Sequence, residues 1–202
     1  GSISVEGPEA ERKVVEATLD KIEELGTQQW CGYSFSWFAC MCARAARGDK
    51  ALDHLEKYLA FTGRNGFHLN GDQSGTGLSS LTYRPFTLEG NFLAMQAVHE
   101  MLLQSWGGTL RVFPAVASKW QDVSFEDLRA EGGYRVWGAR KGGTTTQVSI
   151  RATVDGRLRL RDPFAGREVV WNRPGVAKVG SNYEIDLKAG EQLDGNPAAA
   201  AK

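Results

Sequence analysis

Residues 87–92, Thr-Leu-Glu-Gly-Asn-Phe, contain the side chains with the clearest chemical potential in this chain. Glu89 supplies a carboxylate and Asn91 supplies an amide, and the apolar residues that follow predict a helix beginning at about Asn91. A carboxylate and an amide at the start of a buried helix can orient a water molecule or a sugar hydroxyl. The competing interpretation is structural, since Glu89 could cap the helix and interact with its dipole.

The elements that must position these groups are predicted to be helices. The apolar spacing predicts helices over residues 8–25, 34–47 and 91–106, and another between Asp49 and Gly63. The segment that follows, up to Glu89, is rich in Gly, Asn, Ser and Thr and has no convincing regular element. Loops of this length are uncommon in compact domains and are usually functional or disordered. Its aromatic residues argue against plain disorder.

The predicted helices are too few and too apolar to close a core by themselves. The last helix is apolar on most sides, a pattern typical of burial among other helices. Large apolar residues of the second helix, such as Phe35, Phe38 and Met41, are therefore expected to be partly exposed in the lone chain or covered by a second copy. We interpret these helices as part of a larger helical assembly.

After Gly108 the pattern changes to that of short strands. The strand candidates are residues 123–129, 134–139, 145–152, 158–161, 169–171 and 183–187. The pair Asp155-Gly156 predicts a β-hairpin turn between two of them. Five or six strands at this spacing favour a small antiparallel β-sandwich. The sequence therefore predicts an α+β chain in two parts, with helices over residues 3–108 and the sandwich over residues 109–196.

Aromatic residues and one loop histidine are further candidates for contact with a substrate. Trp30, Tyr33 and Trp37 could stack on the apolar face of a sugar ring, and core packing is the alternative, favoured for Trp37. His68, in the long loop, could bind a sugar hydroxyl or take part in proton transfer. The alternative for His68 is packing of the loop.

Other polar and aromatic residues are expected to be structural. Asp72 is expected to make a local turn hydrogen bond, and His99 to be a satisfied core histidine. His54 is expected on the solvated face of its helix, and Trp137 in the sheet core or at the junction of the two parts.

Composition argues against several classes of partner and cofactor. The formal net charge is 0, so nothing favours a nucleic acid or a membrane surface. No apolar run approaches the ~20 residues of a bilayer-spanning helix, and no signal-peptide pattern is seen. Cys31, Cys40 and Cys42 are too few for a disulfide framework and lack a second Cys/His pair at zinc-like spacing. We expect them to be buried small hydrophobes, with no metal site.

A series of short strings points to a known family. They are residues 30–37 (Trp-Cys-Gly-Tyr-Ser-Phe-Ser-Trp), 88–92 (Leu-Glu-Gly-Asn-Phe), 100–105 (Glu-Met-Leu-Leu-Gln-Ser), 113–116 (Phe-Pro-Ala-Val) and 128–136 (Leu-Arg-Ala-Glu-Gly-Gly-Tyr-Arg-Val). In this order and spacing the chain resembles the C-terminal portion of glycoside hydrolase family 95, the inverting α-L-fucosidases, some of which act on α-L-galactosides. The resemblance covers roughly residues 28–165.

The resemblance implies an (α/α)6 barrel followed by a β-sandwich, of which this chain would hold the last barrel helices and the sandwich. It implies a glycan substrate, no cofactor, and a secreted or periplasmic bacterial parent protein. Glu89 would be the base-side carboxylate and Asn91 a neighbour that shapes the site. The general acid would lie upstream. We therefore expect the missing part of the barrel, or a second copy, as a partner, and no activity from the lone chain.

One departure from the family pattern leaves two functional classes open. Glu89 stands where the family usually has Asp. The extra methylene moves the carboxylate by about 1 Å, and misplacement on that scale can cost on the order of 100-fold in rate. Either the site has re-formed around Glu89 in an active hydrolase, or the chain is a diverged, non-catalytic module that binds carbohydrate or another protein.

Overall fold

The computed structural model describes residues 3–83 and 85–198, which divide into two compact units. The first unit runs to Met101 and also includes Ala115–Ala117, and the second comprises Leu102–Pro114 and the residues from Ser118 onward. The first unit is built from helices and the second from strands. This division confirms the predicted α+β class.

The described part of the chain contains four α-helices. They are α1 (Glu9–Leu25), α2 (Gly32–Arg44), α3 (Gly48–Leu59) and α4 (Leu88–Leu102). Pro8 precedes the first turn of α1, where its missing N–H costs no hydrogen bond, and Gly26 ends the helix with a φ of 76°. The predicted last helix extended to Trp106, but the chain leaves the helix after Leu102 because Gly107 and Gly108 form a tight turn with positive φ angles.

Aromatic rings form the core of the helical unit. Phe35 and Phe38 are fully buried, so the prediction that they would be partly exposed is wrong, and Met41 is half-buried. The ring of Trp30 packs edge-on against both phenylalanines, at centroid distances of 5.2 and 5.4 Å. Phe61 adds a further ring 5.1 Å from Phe35. The segment before α2 and the segment after α3 thus close the core around these rings.

His54 belongs to the same core, and its predicted place on a solvated face is wrong. Its ring is 3% exposed and packs edge-on against Phe38 at 4.7 Å. Its Nε2 atom lies 3.4 Å from the Glu23 carboxylate of α1, which covers this side of α3. Burial lowers the pKa of His54, and the Glu23 carboxylate offsets part of that shift.

Helices α2 and α4 are joined by polar contacts. Arg44 donates two hydrogen bonds to the Glu100 carboxylate, at 2.5 and 2.8 Å, and Gln96 donates a third at 2.8 Å. Glu100 is 5% exposed, and such a buried carboxylate needs this set of donors. Cys40 Sγ also donates to the Leu93 carbonyl at 3.3 Å. These contacts fix which face of α4 is buried.

The opposite face of α4 is uncovered in this chain, although its apolar sequence pattern is typical of a helix buried within a larger assembly. Its exposed side chains form one apolar row at helical spacing: Leu88, Phe92, Met95 and Val98, which are 40, 59, 68 and 37% exposed. On α2, Tyr33 and Trp37 are also exposed, one helical turn apart. Exposed apolar side chains in such a row mark a surface that is normally covered.

The strand unit contains two five-stranded sheets. The strands are β1 (Leu103–Trp106), β2 (Thr109–Val112), β3 (Val123–Ala130), β4 (Tyr134–Lys141), β5 (Thr144–Ala152), β6 (Gly156–Arg161), β7 (Val169–Trp171), β8 (Ala177–Val179), β9 (Asn182–Leu187) and β10 (Gln192–Pro197). The first sheet has the order β1-β2-β6-β9-β8 and the second the order β3-β4-β5-β10-β7. Neighbouring strands are antiparallel except β2 and β6, which meet in parallel at Leu110 and Leu160.

The predicted hairpin at Asp155-Gly156 does not exist, because β5 and β6 lie in different sheets. The chain crosses between the sheets here. The Asp155 carboxylate accepts hydrogen bonds from the Ala189 N–H and the Lys188 ammonium, at 2.9 and 3.0 Å. The Asp155 carboxylate therefore connects the segment between β5 and β6 to the loop before β10, and it does not close a hairpin turn.

In the second sheet the two faces differ in polarity. Val136, Val148 and Leu193 point to the buried face and are at most 1% exposed. Trp137 and Asp194 alternate with these residues and so point to the other face. The sheet core was one of the two places predicted for Trp137, and that placement is wrong. The other, the junction of the two parts, stays a prediction.

Candidate functional site

The described residues of the loop between α3 and α4 form no helix or strand, but backbone hydrogen bonds order them. The Leu69 N–H donates to the Phe61 carbonyl at 2.6 Å and the Asn70 N–H to the Pro85 carbonyl at 3.1 Å. Isolated β-bridges join Thr62 to His68 and Leu69 to Phe86. The loop thus folds back on itself and brings its two ends to the start of α4.

Asp72 fixes the middle of this loop, which confirms the predicted local turn. Its carboxylate accepts hydrogen bonds from the N–H and hydroxyl of Thr76, at 3.0 and 2.9 Å, and from the Gly77 N–H at 2.9 Å. Burial on its own would raise the pKa of Asp72, but these hydrogen bonds outweigh it and lower the pKa. The residue serves the loop and not a substrate.

His68 is the packing centre beneath the candidate site. Its ring is fully buried and stacks on Tyr58 with a centroid distance of 5.0 Å. Gly90 in the first turn of α4 lies against the ring, since a Cβ there would sit 2.7 Å from Cγ and 2.8 Å from Nε2 of His68. Gly32 in the first turn of α2 also touches the ring, so the two glycines let both helices approach one histidine.

Burial also affects the hydrogen bonding and the pKa of the His68 ring. Neither ring nitrogen has a partner within hydrogen-bond geometry in the described part of the chain. Burial lowers the pKa of His68, and the Phe61 carbonyl offsets this shift only in part. With no exposed atom, the ring has no contact surface for a sugar hydroxyl in this structure. The predicted substrate contact of His68 therefore has no geometric support.

Asn91 clamps the loop to the first turn of α4. Its Oδ1 atom accepts a hydrogen bond from the His68 N–H at 3.0 Å, and its Nδ2 atom donates to the Gly66 carbonyl at 2.9 Å. Both functions of the amide are thus used within the chain. Asn91 therefore holds the loop segment at Gly66 and His68 against the start of α4.

Glu89, the second residue of α4, has an exposed side chain. Among residues 3–83 and 85–198, no hydrogen bond or ion pair engages its carboxylate, so the predicted cap hydrogen bond is absent there. The charge still lies favourably at the positive end of the helix dipole. The carboxylate therefore lies at a helix start with its acceptor atoms open to solvent.

Phe67 and Phe86 form an exposed aromatic pair in the loop that leads into α4. Their rings stack at a centroid distance of 5.5 Å, and they are 45 and 58% exposed. Phe67 lies between the two residues that Asn91 clamps, and Phe86 lies three residues before Glu89. Sequence reasoning missed this pair as a functional feature. The proline-flanked Phe86 and the loop position of Phe67 were the available signals.

The two other aromatic candidates lie at the start of α2. Trp30 is half-buried in the aromatic core and its carbonyl accepts a hydrogen bond from the Ser79 hydroxyl, so its rings mainly serve packing. Tyr33 is 37% exposed in the first turn of α2. The same turn contains Gly32, which packs on His68, and this shared contact places α2 and α4 at one end of the helical unit.

Cys42 is buried as predicted, whereas Cys31 and Cys40 are only partly buried. Burial raises the pKa of the Cys40 thiol to about 11 and that of Cys42 to about 12. Within the described residues, His, Cys, Asp and Glu side chains form no group of three that could hold a metal ion. In the same residues, no helix combines the length and apolar character of a bilayer span.

Comparisons with known proteins identify the family of the chain. Residues 3–102, about half of the chain, match the model of the glycosyl hydrolase family 95 catalytic domain. The chain belongs to glycosyl hydrolase family 95. The matched part ends with α4 and therefore contains Glu89, Asn91 and the loop that they fix.

A curated family 95 relative extends the match beyond the helices. Alpha-L-fucosidase 2 of Arabidopsis thaliana is 34% identical over 139 residues, which is 67% of this chain. The matched stretch spans only 16% of that relative's length. The matched part of the chain thus corresponds to a small segment of the Arabidopsis protein.

Proposed function

We propose that the chain is the C-terminal portion of an inverting glycoside hydrolase that cleaves terminal α-L-fucosyl or α-L-galactosyl linkages in glycans. The observation that carries the proposal is the first turn of α4. There the Glu89 carboxylate is unengaged and exposed, beside an Asn91 amide that is fixed by two hydrogen bonds. The family match over residues 3–102 and the named activity of the plant relative support the reaction type.

In this mechanism Glu89 is the base-side carboxylate. An inverting hydrolase needs a base that removes a proton from water and an acid that protonates the leaving oxygen, with carboxyl groups about 6.5–9.5 Å apart. Glu89 accepts the proton of the attacking water, and the apolar faces of Phe67 and Phe86 offer a stacking surface for the sugar or its aglycone. The general acid comes from sequence upstream of residue 3.

The helices α1–α4 are proposed to be the last part of an (α/α)6 barrel, and the two sheets a β-sandwich that follows it. The apolar row of α4, together with Tyr33 and Trp37, supports a missing helical partner. The lone chain is therefore expected to be inactive. A secreted or periplasmic location and a bacterial origin remain predictions, and the curated relative is a plant protein.

The test is an assay of a longer chain that includes the upstream barrel sequence, on an aryl α-L-fucoside. Glu89→Gln is expected to lower kcat by at least about 100-fold, as loss of a general base does. Glu16→Gln, on the exposed side of α1, is the matched control and should leave the rate unchanged. Proton NMR of the first product should show the β-anomer. Equal rates for Glu89→Gln and the wild type would remove Glu89 from the mechanism.

A further inference from the structure

The second sheet has a hollow on the face opposite its core. The hollow has a volume of about 430 Å³, within the ~300–1,000 Å³ typical of small-molecule sites. It is lined by residues of β3, β4, β5 and β10: Ser124, Phe125, Glu126, Trp137, Gly138, Ala139, Gln147, Ser149, Gln192 and Asp194. All of these belong to the strand unit, so the hollow is independent of the site at α4.

One row across three strands defines the hollow. Trp137 on β4 pairs with Ser149 on β5, and Ser149 pairs with Asp194 on β10. Because paired residues share a face, the indole and the carboxylate stand on the same surface with a serine between them, their backbones about 10 Å apart. An aromatic ring and a carboxylate thus face one space from opposite sides.

The indole of Trp137 is open on the side of the hollow. Ala139, its next neighbour on the same face of β4, has only a methyl group and leaves the ring uncovered there. On the other side, the Arg135 guanidinium lies 5.9 Å from the ring centre and is held by the Asp127 carboxylate. The ring is therefore fixed in place with one region free for a ligand.

The carboxylate of Asp194 is held rigidly by neutral donors. The Ser149 hydroxyl donates to Oδ1 at 2.6 Å, the Gln192 amide donates to Oδ1 at 2.9 Å, and the Asn172 amide donates to Oδ2 at 2.9 Å. Within the described ranges, no lysine, arginine or histidine forms an ion pair with it. The carboxylate has capacity for about four hydrogen bonds, so one acceptor site is left.

We propose that this hollow is a saccharide-binding site, separate from catalysis. A pyranose ring has an apolar face that suits the Trp137 indole, and its hydroxyls suit the carboxylates and the amides of Gln147 and Gln192. The residues that line the hollow include Glu126 and Asp194 and no lysine or arginine, which disfavours phosphate and other anions. The mixture of hydroxyl and amide groups fits a neutral polyhydroxyl ligand better than a small cation.

Binding is tested on the full 202-residue chain by isothermal titration and saturation-transfer NMR. The probes are 2′-fucosyllactose, cellotetraose and, as a cation, choline chloride. Wild-type protein is expected to bind at least one of the two oligosaccharides, and Trp137→Ala to raise that Kd by at least about tenfold, or 1.4 kcal/mol. Trp137→Phe keeps a ring and should retain most of the affinity, which guards against a folding artefact. Asp194→Asn should weaken binding without removing it.

Tyr83→Ala is the control, since Tyr83 is an exposed aromatic residue of the helical unit. It should bind the oligosaccharides as the wild type does. The proposal is overturned if neither oligosaccharide binds, if choline alone binds, or if folded Trp137→Ala protein binds as tightly as the wild type. Loss of binding in Tyr83→Ala would place the ligand on the helical unit and would also overturn it. None of these measurements depends on hydrolysis by Glu89.

Discussion

Replacement of Gly90 by alanine should destabilise the helical unit, although alanine normally favours helices. Gly90 lies in the first turn of α4 with ordinary helical backbone, so the propensity term alone would stabilise it by about 1 kcal/mol. The added Cβ would lie 2.7 Å from Cγ and 2.8 Å from Nε2 of His68, where ordinary contacts are 3.4–4 Å. The ring is fully buried and stacked on Tyr58, so it cannot move aside freely.

Overpacking of this kind costs about 1–3 kcal/mol, and the close contact with a confined ring points to the upper end. After the helix propensity is subtracted, we expect a net loss of about 1–2 kcal/mol. This loss in the free energy of unfolding can be measured by urea unfolding, monitored by far-UV circular dichroism at the helix band, because the helices dominate that signal. With an m value of about 1–3 kcal/mol/M, the urea midpoint should fall by roughly 0.3–2 M.

A double-mutant cycle separates this steric explanation from others. His68→Ala alone should cost about 2 kcal/mol or more, since it leaves a cavity. In the double variant, the methyl group added by Gly90→Ala enters the space that the ring has left. The stability loss of the double variant should therefore be smaller than the sum of the two single losses, by at least about 1 kcal/mol. Additive losses would show that the Gly90 effect does not arise from His68. A Gly90→Ala protein as stable as the wild type would refute the packing itself.

Three further predictions concern charge and reactivity. Burial lowers the pKa of His68 in the folded protein, so the unfolded chain binds a proton at a higher pH than the folded chain does. The free energy of unfolding should therefore fall as the pH drops below ~6.5, with a loss of at most about 1.4 kcal/mol at pH 5.5. His68→Gln should lose less stability than the wild type between pH 7.5 and 5.5, measured by urea midpoints, and an equal loss would contradict this. At pH 8 iodoacetamide should label Cys31 well before Cys40 and Cys42, whose raised pKa values leave at most about one thiolate in a thousand, and peptide mass spectrometry would detect the order. Asp72→Ala should cost about 1–3 kcal/mol and speed amide exchange in the loop, whereas unchanged exchange would mean that the turn forms without it.

Much of the fold could be predicted because its signals are local. The 3.6-residue spacing predicted α1 over residues 8–25, against Glu9–Leu25 in the structure, and two-residue alternation predicted β4 and β5 to within a few residues. The strand β10 could not be found this way, because Gln-Leu-Asp-Gly-Asn-Pro has one large apolar residue. Its strand conformation comes from backbone pairing with β5 and β7, which are distant in sequence.

In the candidate site, too, the features set by local sequence could be predicted, and those that depend on distant segments could not. The positions of Glu89 and Asn91 at a helix start follow from the local pattern, whereas the stack of Phe67 on Phe86 depends on two loop segments that meet in space. The burial of Phe35 was missed for a related reason. Its cover comes from Trp30 and Phe61, which lie outside the helix that carries it, and helix periodicity says nothing about how flanking loops fold.

The freedom of the Glu89 side chain gives a second physical reason to expect no activity from the lone chain, besides the general acid that is proposed to lie upstream. A catalytic base works best when its carboxylate is already fixed at the position that the transition state requires. Gly90 and Asn91 are fixed by His68 and the loop, but Glu89 has no partner among the described residues. Glutamate also loses more rotamer freedom than aspartate when it is ordered. A covering segment that reaches the apolar row of α4 would therefore have to orient Glu89 as well as complete the cleft. If so, Glu89→Asp in the longer protein should change kcat more than KM, because substrate contacts stay while the position of the base shifts.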